Sequence, residues 1–171
     1  MTKHFFVEDD IMANEQLKKQ GKKNREAGRR FELKVRKDLE KKGWIVSKWM
    51  NNLDYPKENI NLPPEQRKDF KLIPAKHKFR GKGIPMAIGT GFPDFISYGI
   101  LEPKLENGGK LYPSKKIYEV TGVEAKSKGY LTKEEKAKCK WLLDNHIFSK
   151  ILIAKKGKKR GEIVYENYME K

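Results

Sequence analysis

The sequence predicts an α/β domain with a mixed sheet between helices, and three observations predict it. An early segment carries apolar residues at helical spacing, two apolar strands rich in β-branched and aromatic residues lie in mid-chain, and a capped helix then leads into two closing strands. A chain of 171 residues, 37% of them hydrophobic, suits one domain with one modest core, because two cores would need more apolar surface than this chain has.

Residues 1–24 are polar and end in the basic run KKQGKKN, which predicts a basic N-terminal arm, loosely ordered or a short helix, that touches phosphate; the domain proper spans 25–171. The segment REAGRRFELKVRKDLEKK places Phe31, Val35 and Leu39 on one helical face, with Gly43 as the stop. IVSKW then reads as a short strand. Residues 51–87, rich in Pro, Asn and Lys, read as a long excursion with one short helix or strand, of the kind that often carries function. GTGFPDFISYGI reads as turn then strand, with Pro93 opening the strand and Asp94 inside it, and KIYEVTGVEAKSK reads as its neighbour across the turn-like ENGGK. Thr132 and Glu135 form a T-x-x-E capping box for a helix ending near Asn145, and KILIA and EIVYENY close the sheet around the basic turn KKGKKRG.

Composition narrows the function classes. With 39 Lys and Arg against 23 Asp and Glu, the net charge of +16 predicts a polyanionic partner, nucleic acid first, against the blander reading of a charged surface kept for solubility. A single cysteine, Cys139, excludes an intrachain disulfide and a multi-thiolate zinc site and suits a reducing compartment. His4, His77 and His146 lack metal-ligand spacing and read as surface or packing residues. No apolar run approaches the roughly 20 residues of a membrane span, and MTKHFFVEDD lacks the halves of a signal peptide, so a soluble cytoplasmic protein is expected.

Three acids and a lysine carry the chemistry. In Val123-Glu124-Ala125-Lys126 the period of two puts Glu124 and Lys126 on one strand face, where the carboxylate can ligate a hard cation and the ammonium can orient water and steady a phosphate. Alone the triplet is weak, since a chain this rich in Lys and Glu produces it by chance. Asp94, alternating with Phe92 and Ile96, is an acid on an apolar face, which demands a cation, a metal or dense hydrogen bonding unless it merely caps a turn. Glu32 precedes Val35 by three and Leu39 by seven and so shares their core-facing stripe, whereas Glu26, Asp38 and Glu40 read as a solvated face.

Glu32 in GRRFELKVRKDLEKKGW, then Pro93-Asp94, then Glu124-x-Lys126, resembles in order and spacing the PD-(D/E)XK nuclease superfamily. The early helix is similar to that of archaeal Holliday junction resolvases; GTGFPDFI and VEAKSKGYLTKEEKAKCKWL are similar to viral and repair-type nucleases, which carry Gln where Glu135 stands. The resemblance implies a restriction-endonuclease-like fold with a central mixed sheet flanked by helices, a prokaryotic or viral source, Mg²⁺ or Mn²⁺ held by Asp94, Glu124, the carbonyl of Ala125 and Glu32, and Lys126 at the attacking water. Glu135 is explained by the capping box. The implied partner is double-stranded or branched DNA, gripped by Arg25, Arg29, Arg30 and Lys34 on the first helix, Lys76, Lys78, Arg80 and Lys82 before the acidic strand, Lys128, and Lys158, Lys159 and Arg160 in the last turn. Phe79 and Tyr130 are candidates for stacking on bases, while Trp141 suits the core. The resolvase branch also implies a homodimer. Four-way junctions, short duplex sequences, ends or flaps, and RNA remain competing substrates, and a catalytically silent nucleic-acid-binding protein on the same fold is the rival from another class.

Overall fold

The structure is a computed structural model that describes residues 5–54, 62, 70–75, 77–78, 87–88, 91–101 and 117–169, with the side chains of 5–14, 77–78, 87–88, 100, 101 and 117 left aside. It is a mixed α/β architecture: helix α1 (Phe5–Lys41), strands β1 (Ile45–Lys48), β2 (Asn51–Asp54), β3 (Lys71–Pro74), β4 (His77–Lys78), β5 (Ala87–Ile88), β6 (Phe95–Leu101) and β7 (Ile117–Ala125), helix α2 (Lys133–Asp144), and strands β8 (Lys150–Lys156) and β9 (Ile163–Asn167). Five strands form the main sheet in the order β1-β6-β7-β8-β9. Every neighbouring pair is antiparallel except β7 and β8, which run parallel because α2 carries the chain back across the sheet between them.

The helices cover opposite faces. Phe31, Val35 and Leu39 of α1 pack on Val46, Phe95, Val123 and Ala154, while Cys139 and Leu142 of α2 pack with Phe92, Phe148, Ile151 and Ile153. Strand alternation causes this division: Val123 and Ala125 of β7 point towards α1, and Val120, an odd step away, points towards α2. Tyr165 of β9 fastens α1 from its far side, its hydroxyl donating to Asp38 Oδ2 over 2.8 Å. Asp38 is therefore partnered by Tyr165 and, at 2.7 Å, by Lys42, and is more than a solvated charge.

The strand pair, the capped helix and the closing hairpin all follow the sequence expectation, and β6 pairs with β7 over seven positions, from Phe95 opposite Val123 to Leu101 opposite Ile117. Four expectations need correcting. The boundary near residue 24 is not a break in secondary structure, since α1 runs unbroken from Phe5 to Lys41; the polar residues there are good helix formers, and the packed turns at Phe31 to Leu39 anchor their C-terminal end. The excursion holds two small antiparallel pairs, β2 with β3 and β4 with β5, where one short element was expected; Leu53 and Leu72, opposite each other, seal the first pair onto the α2-side core. Pro93 does not open a strand: Phe92–Asp94 form a bend and β6 begins at Phe95. Glu32 is not buried in the stripe with Val35 and Leu39, and its half-exposed side chain instead pairs with Lys48 Nζ at 3.3 Å. The ENGGK turn lies outside the described residues.

Candidate active site

The site grows from a bend clamped between two strands. Gly91 makes this possible, because a Cβ there would lie 2.3 Å from the Trp49 carbonyl oxygen and 2.5 Å from that of Asn51. Freed of a side chain, the loop lies against the β1–β2 corner: Phe92 N–H donates to the Asn51 carbonyl over 2.9 Å, and Trp49 N–H donates to the Asp94 carbonyl over 3.1 Å. Gly122 serves from the β7 side, since a Cβ would stand 2.9 Å from the Pro93 ring. Asp94 thus projects from a fixed backbone just ahead of β6.

Asp94 and Glu124 interlock. The Asp94 N–H donates to Glu124 Oε2 over 3.0 Å, and the Ala125 N–H donates to Asp94 Oδ2 over 2.9 Å. Asp94 is 9% exposed and Glu124 5%, so both carboxylates are largely out of water. Burial pushes the pKa of each above the carboxylate range; for Glu124 the charge of Asp94 adds to the rise, and for Asp94 that of Glu32 does. The pair therefore keeps a proton to higher pH than exposed carboxyls do.

Lys126 bridges two acids, with its Nζ 3.1 Å from Glu124 Oε1 and 2.5 Å from Glu135 Oε1. Burial works against its charge, but the contacts with Glu135 and Glu124 outweigh that and hold its pKa above the ordinary lysine value. It is a fixed cation, suited to steadying negative charge and not to accepting a proton. Glu135 does two jobs: Oε2 accepts from the Thr132 N–H at 2.8 Å, closing the capping box of α2, while Oε1 holds Lys126. The capping box visible in the sequence accounts for only half of its bonding.

These groups open into one cleft of about 520 Å³, lined by Glu32, Asn52, Phe92, Asp94, Glu124 and Lys126 together with the first turns of α2. All four sequence-predicted catalytic residues meet there, Glu32 from α1 and the other three from the ends of β6 and β7. Two more residues join them: Glu135, which the sequence assigned to the capping box alone, and Lys138, which sequence reasoning passed over, buried, 2.8 Å from Glu134 and above the Phe92 ring at 5.7 Å. Their i, i+3 spacing on one face of a capped helix was the available signal.

No family model, curated protein or solved structure matches this chain. The function has to be argued from the cleft.

Among the described residues, no group of three or more His, Cys, Asp or Glu side chains is gathered to hold a metal ion. The donors that do meet are all oxygens, and a hard divalent ion that keeps several waters needs only one or two carboxylates from the protein. A buried carboxylate pair whose charges repel is the kind of donor set such an ion relieves, so the residues fit Mg²⁺ or Mn²⁺ and do not fit a soft metal. Buried Cys139, its thiol pKa pushed up by burial, adds no ligand.

Of the basic residues singled out, Arg25, Arg29, Arg30, Lys34, Lys128, Lys158, Lys159 and Arg160 are exposed, as phosphate contacts require. Lys76, Arg80 and Lys82 lie outside the described residues, and of Lys78 only the backbone in β4 is described. Tyr130 is 81% exposed, whereas Trp141 packs against the α2-side core; Phe79 lies outside the described residues. Among the described residues no helix is long and apolar enough to cross a membrane.

Proposed function

We propose that this chain is a metal-dependent DNA endonuclease of the PD-(D/E)XK type, on a restriction-endonuclease-like fold. The observation that carries the reading is the interlock of Asp94 with Glu124 beside the Lys126 ammonium, at the mouth of a cleft in a chain of net charge +16. Charged groups held this far out of water cost folding free energy, and a site that acts on phosphodiesters is a reason to keep them.

Asp94 and Glu124, with the Ala125 carbonyl and with Glu32 through water, would hold Mg²⁺ or Mn²⁺, which when bound lowers the pKa of a water and offsets negative charge at phosphorus. The protein's own groups do the rest. Lys126 orients the attacking water and stabilises the charge that develops on the phosphoryl oxygens, and it can do so at any physiological pH because Glu135 keeps it protonated and aimed. The hydrogen bonds that fix the Asp94 backbone hold the carboxylates in register, so little reorganisation is left for the reaction itself. Exposed cations on α1 and in the β8–β9 turn supply salt-sensitive affinity for the phosphate backbone.

The deciding experiment incubates the protein with a labelled four-way junction, and with a linear duplex of one arm's sequence, in Mg²⁺ or EDTA. Metal-dependent cutting is expected, with Lys126→Ala slowing it about 10²- to 10³-fold while Mn²⁺ affinity changes little. Cuts confined to the junction would make the enzyme structure-selective; equal cutting of the duplex would remove that refinement. Wild-type rates in Lys126→Ala would sink the assignment.

One observation favours a second reading. Lys126 is already paired with Glu124 and Glu135, so the cluster can serve as an internal ion network in a DNA-binding protein without catalysis. Calorimetry separates the two: Mn²⁺ binding that is lost in Asp94→Ala supports the nuclease, and no binding in either protein supports the silent one.

A further inference from the structure

Resting on the nuclease reading, we infer that the free N-terminal length of α1 is a rail that guides one strand of duplex DNA out of the cleft. Residues 15–30 of α1 are exposed at every position but the half-buried Gly21, so this part of the helix packs against little of the described fold. Lys18, Lys22, Arg25 and Arg29 follow one another at steps of four, three and four residues, and a further step of three reaches Glu32, which lines the cleft. Steps of three and four keep residues on one side of a helix, so these four cations and the cleft-lining acid form a single file. From Lys18 to Glu32 the file is about 21 Å long, the axial length of about six base pairs of duplex.

Among the described residues none of the file's four cations is ion-paired, and neither are Lys23, Arg30 and Lys34 beside it, whereas Lys19 pairs with Glu15, Arg36 with Glu40 and Lys42 with Asp38. Glu15, three residues before Lys18, is taken up by Lys19, and Glu26, four after Lys22 and three before Arg29, borders the file, which keeps an excess of positive charge. A polar stretch of helix whose cations outnumber its acids is complementary to a phosphate backbone, and the alignment of this file with Glu32 sets the direction in which that backbone leaves the site. The substrate class follows: a double helix that continues about six base pairs beyond the cut on one side.

The test uses the full chain and a fluorescent 30-base-pair duplex in EDTA, with binding followed by anisotropy across a salt series. One variant carries Lys18→Gln, Lys22→Gln, Arg25→Gln and Arg29→Gln; the control carries Lys19→Gln, Lys23→Gln, Lys37→Gln and Lys41→Gln, which removes the same charge from the other flank of α1. Circular dichroism checks that helix content matches the parent in both. The rail predicts a salt slope shallower by about 3 to 4 in the first variant, and affinity at least tenfold below the control. Equal losses in both variants, or no loss in the first, would overturn it. Mg²⁺-dependent cleavage by the parent is scored separately, so a protein that binds through the file but never cuts retains the rail and loses the nuclease reading.

Discussion

The two faces of the main sheet handle polar groups in different ways. Under α1 the buried polar side chains of the strands are neutral hydroxyls, Ser97 and Thr121, set among Val35, Phe95 and Val123, and the Thr121 hydroxyl has no hydrogen-bond partner among the described residues. Under α2 the same strands bring Asp94 and Glu124 out of water, and there the backbone and Lys126 meet the carboxylates. The difference follows from magnitude. An unpartnered hydroxyl costs about 1–3 kcal/mol and can be carried, whereas an unpaired buried charge costs far more and forces the surroundings to build a partner for it. A neutral defect is carried on either face, Trp49 Nε1 being the one on the α2 side, whereas the buried acids are given partners.

Substitutions can sharpen that contrast. The largest effect is expected from Leu39→Ala on the α1 face, which should cost about 2–5 kcal/mol of unfolding free energy in denaturant titration and leave the pH dependence of stability unchanged. Glu135→Gln should slow cleavage about 10- to 100-fold. Its unfolding free energy should move by less than about 0.5 kcal/mol, because Gln still closes the capping box while Lys126 loses a carboxylate. A variant that unfolds easily instead would make the Glu135–Lys126 ion pair a structural contact.

The pH dependence probes the acid pair itself. Burial raises both carboxyl pKa values above those of the unfolded chain, with the charge of Asp94 adding to the rise at Glu124 and that of Glu32 at Asp94, so the folded protein binds more protons than the unfolded one across that window. Without metal, stability should therefore be fullest at pH values below the ordinary carboxyl range and fall as pH rises through the raised values. Melting temperatures in EDTA from about pH 5 to about pH 9 should decline, and Glu124→Gln should flatten the decline and gain about 1–2 kcal/mol at the alkaline end. A slope unchanged in Glu124→Gln would break the account. The smallest effect is expected from Thr121→Val, a near-isosteric change that removes the orphan hydroxyl and should stabilise by about 1 kcal/mol or less with cleavage untouched.

Much of this was legible in advance. The stripe Phe31–Val35–Leu39, the paired strands around Asp94 and Glu124, and the Thr132–Glu135 capping box are local periodicities, and local periodicity survives into the fold because it is set by helix and strand geometry. Glu32 was harder. Spacing put it on the core-facing side, but it sits at the edge of the stripe, where Lys48, sixteen residues away, draws it towards the cleft. The excursion at 51–87 read as holding one short element because the strands of its pairs β2–β3 and β4–β5 are only four and two residues long, too short for an alternating pattern to stand out.

By itself the sequence determined the α/β class, the basic charge and the identity of the acids, since these depend on composition and on spacing within single elements. Only the tertiary structure decided that the Glu124 carboxylate accepts from the Asp94 N–H and the Asp94 carboxylate from the Ala125 N–H, that Glu135 shares Lys126 with Glu124, and that Lys138 lines the same cleft. Those contacts join α2 to the ends of β6 and β7, and they exist because the parallel β7–α2–β8 crossover returns the helix over the strand ends, a pairing that no local pattern encodes.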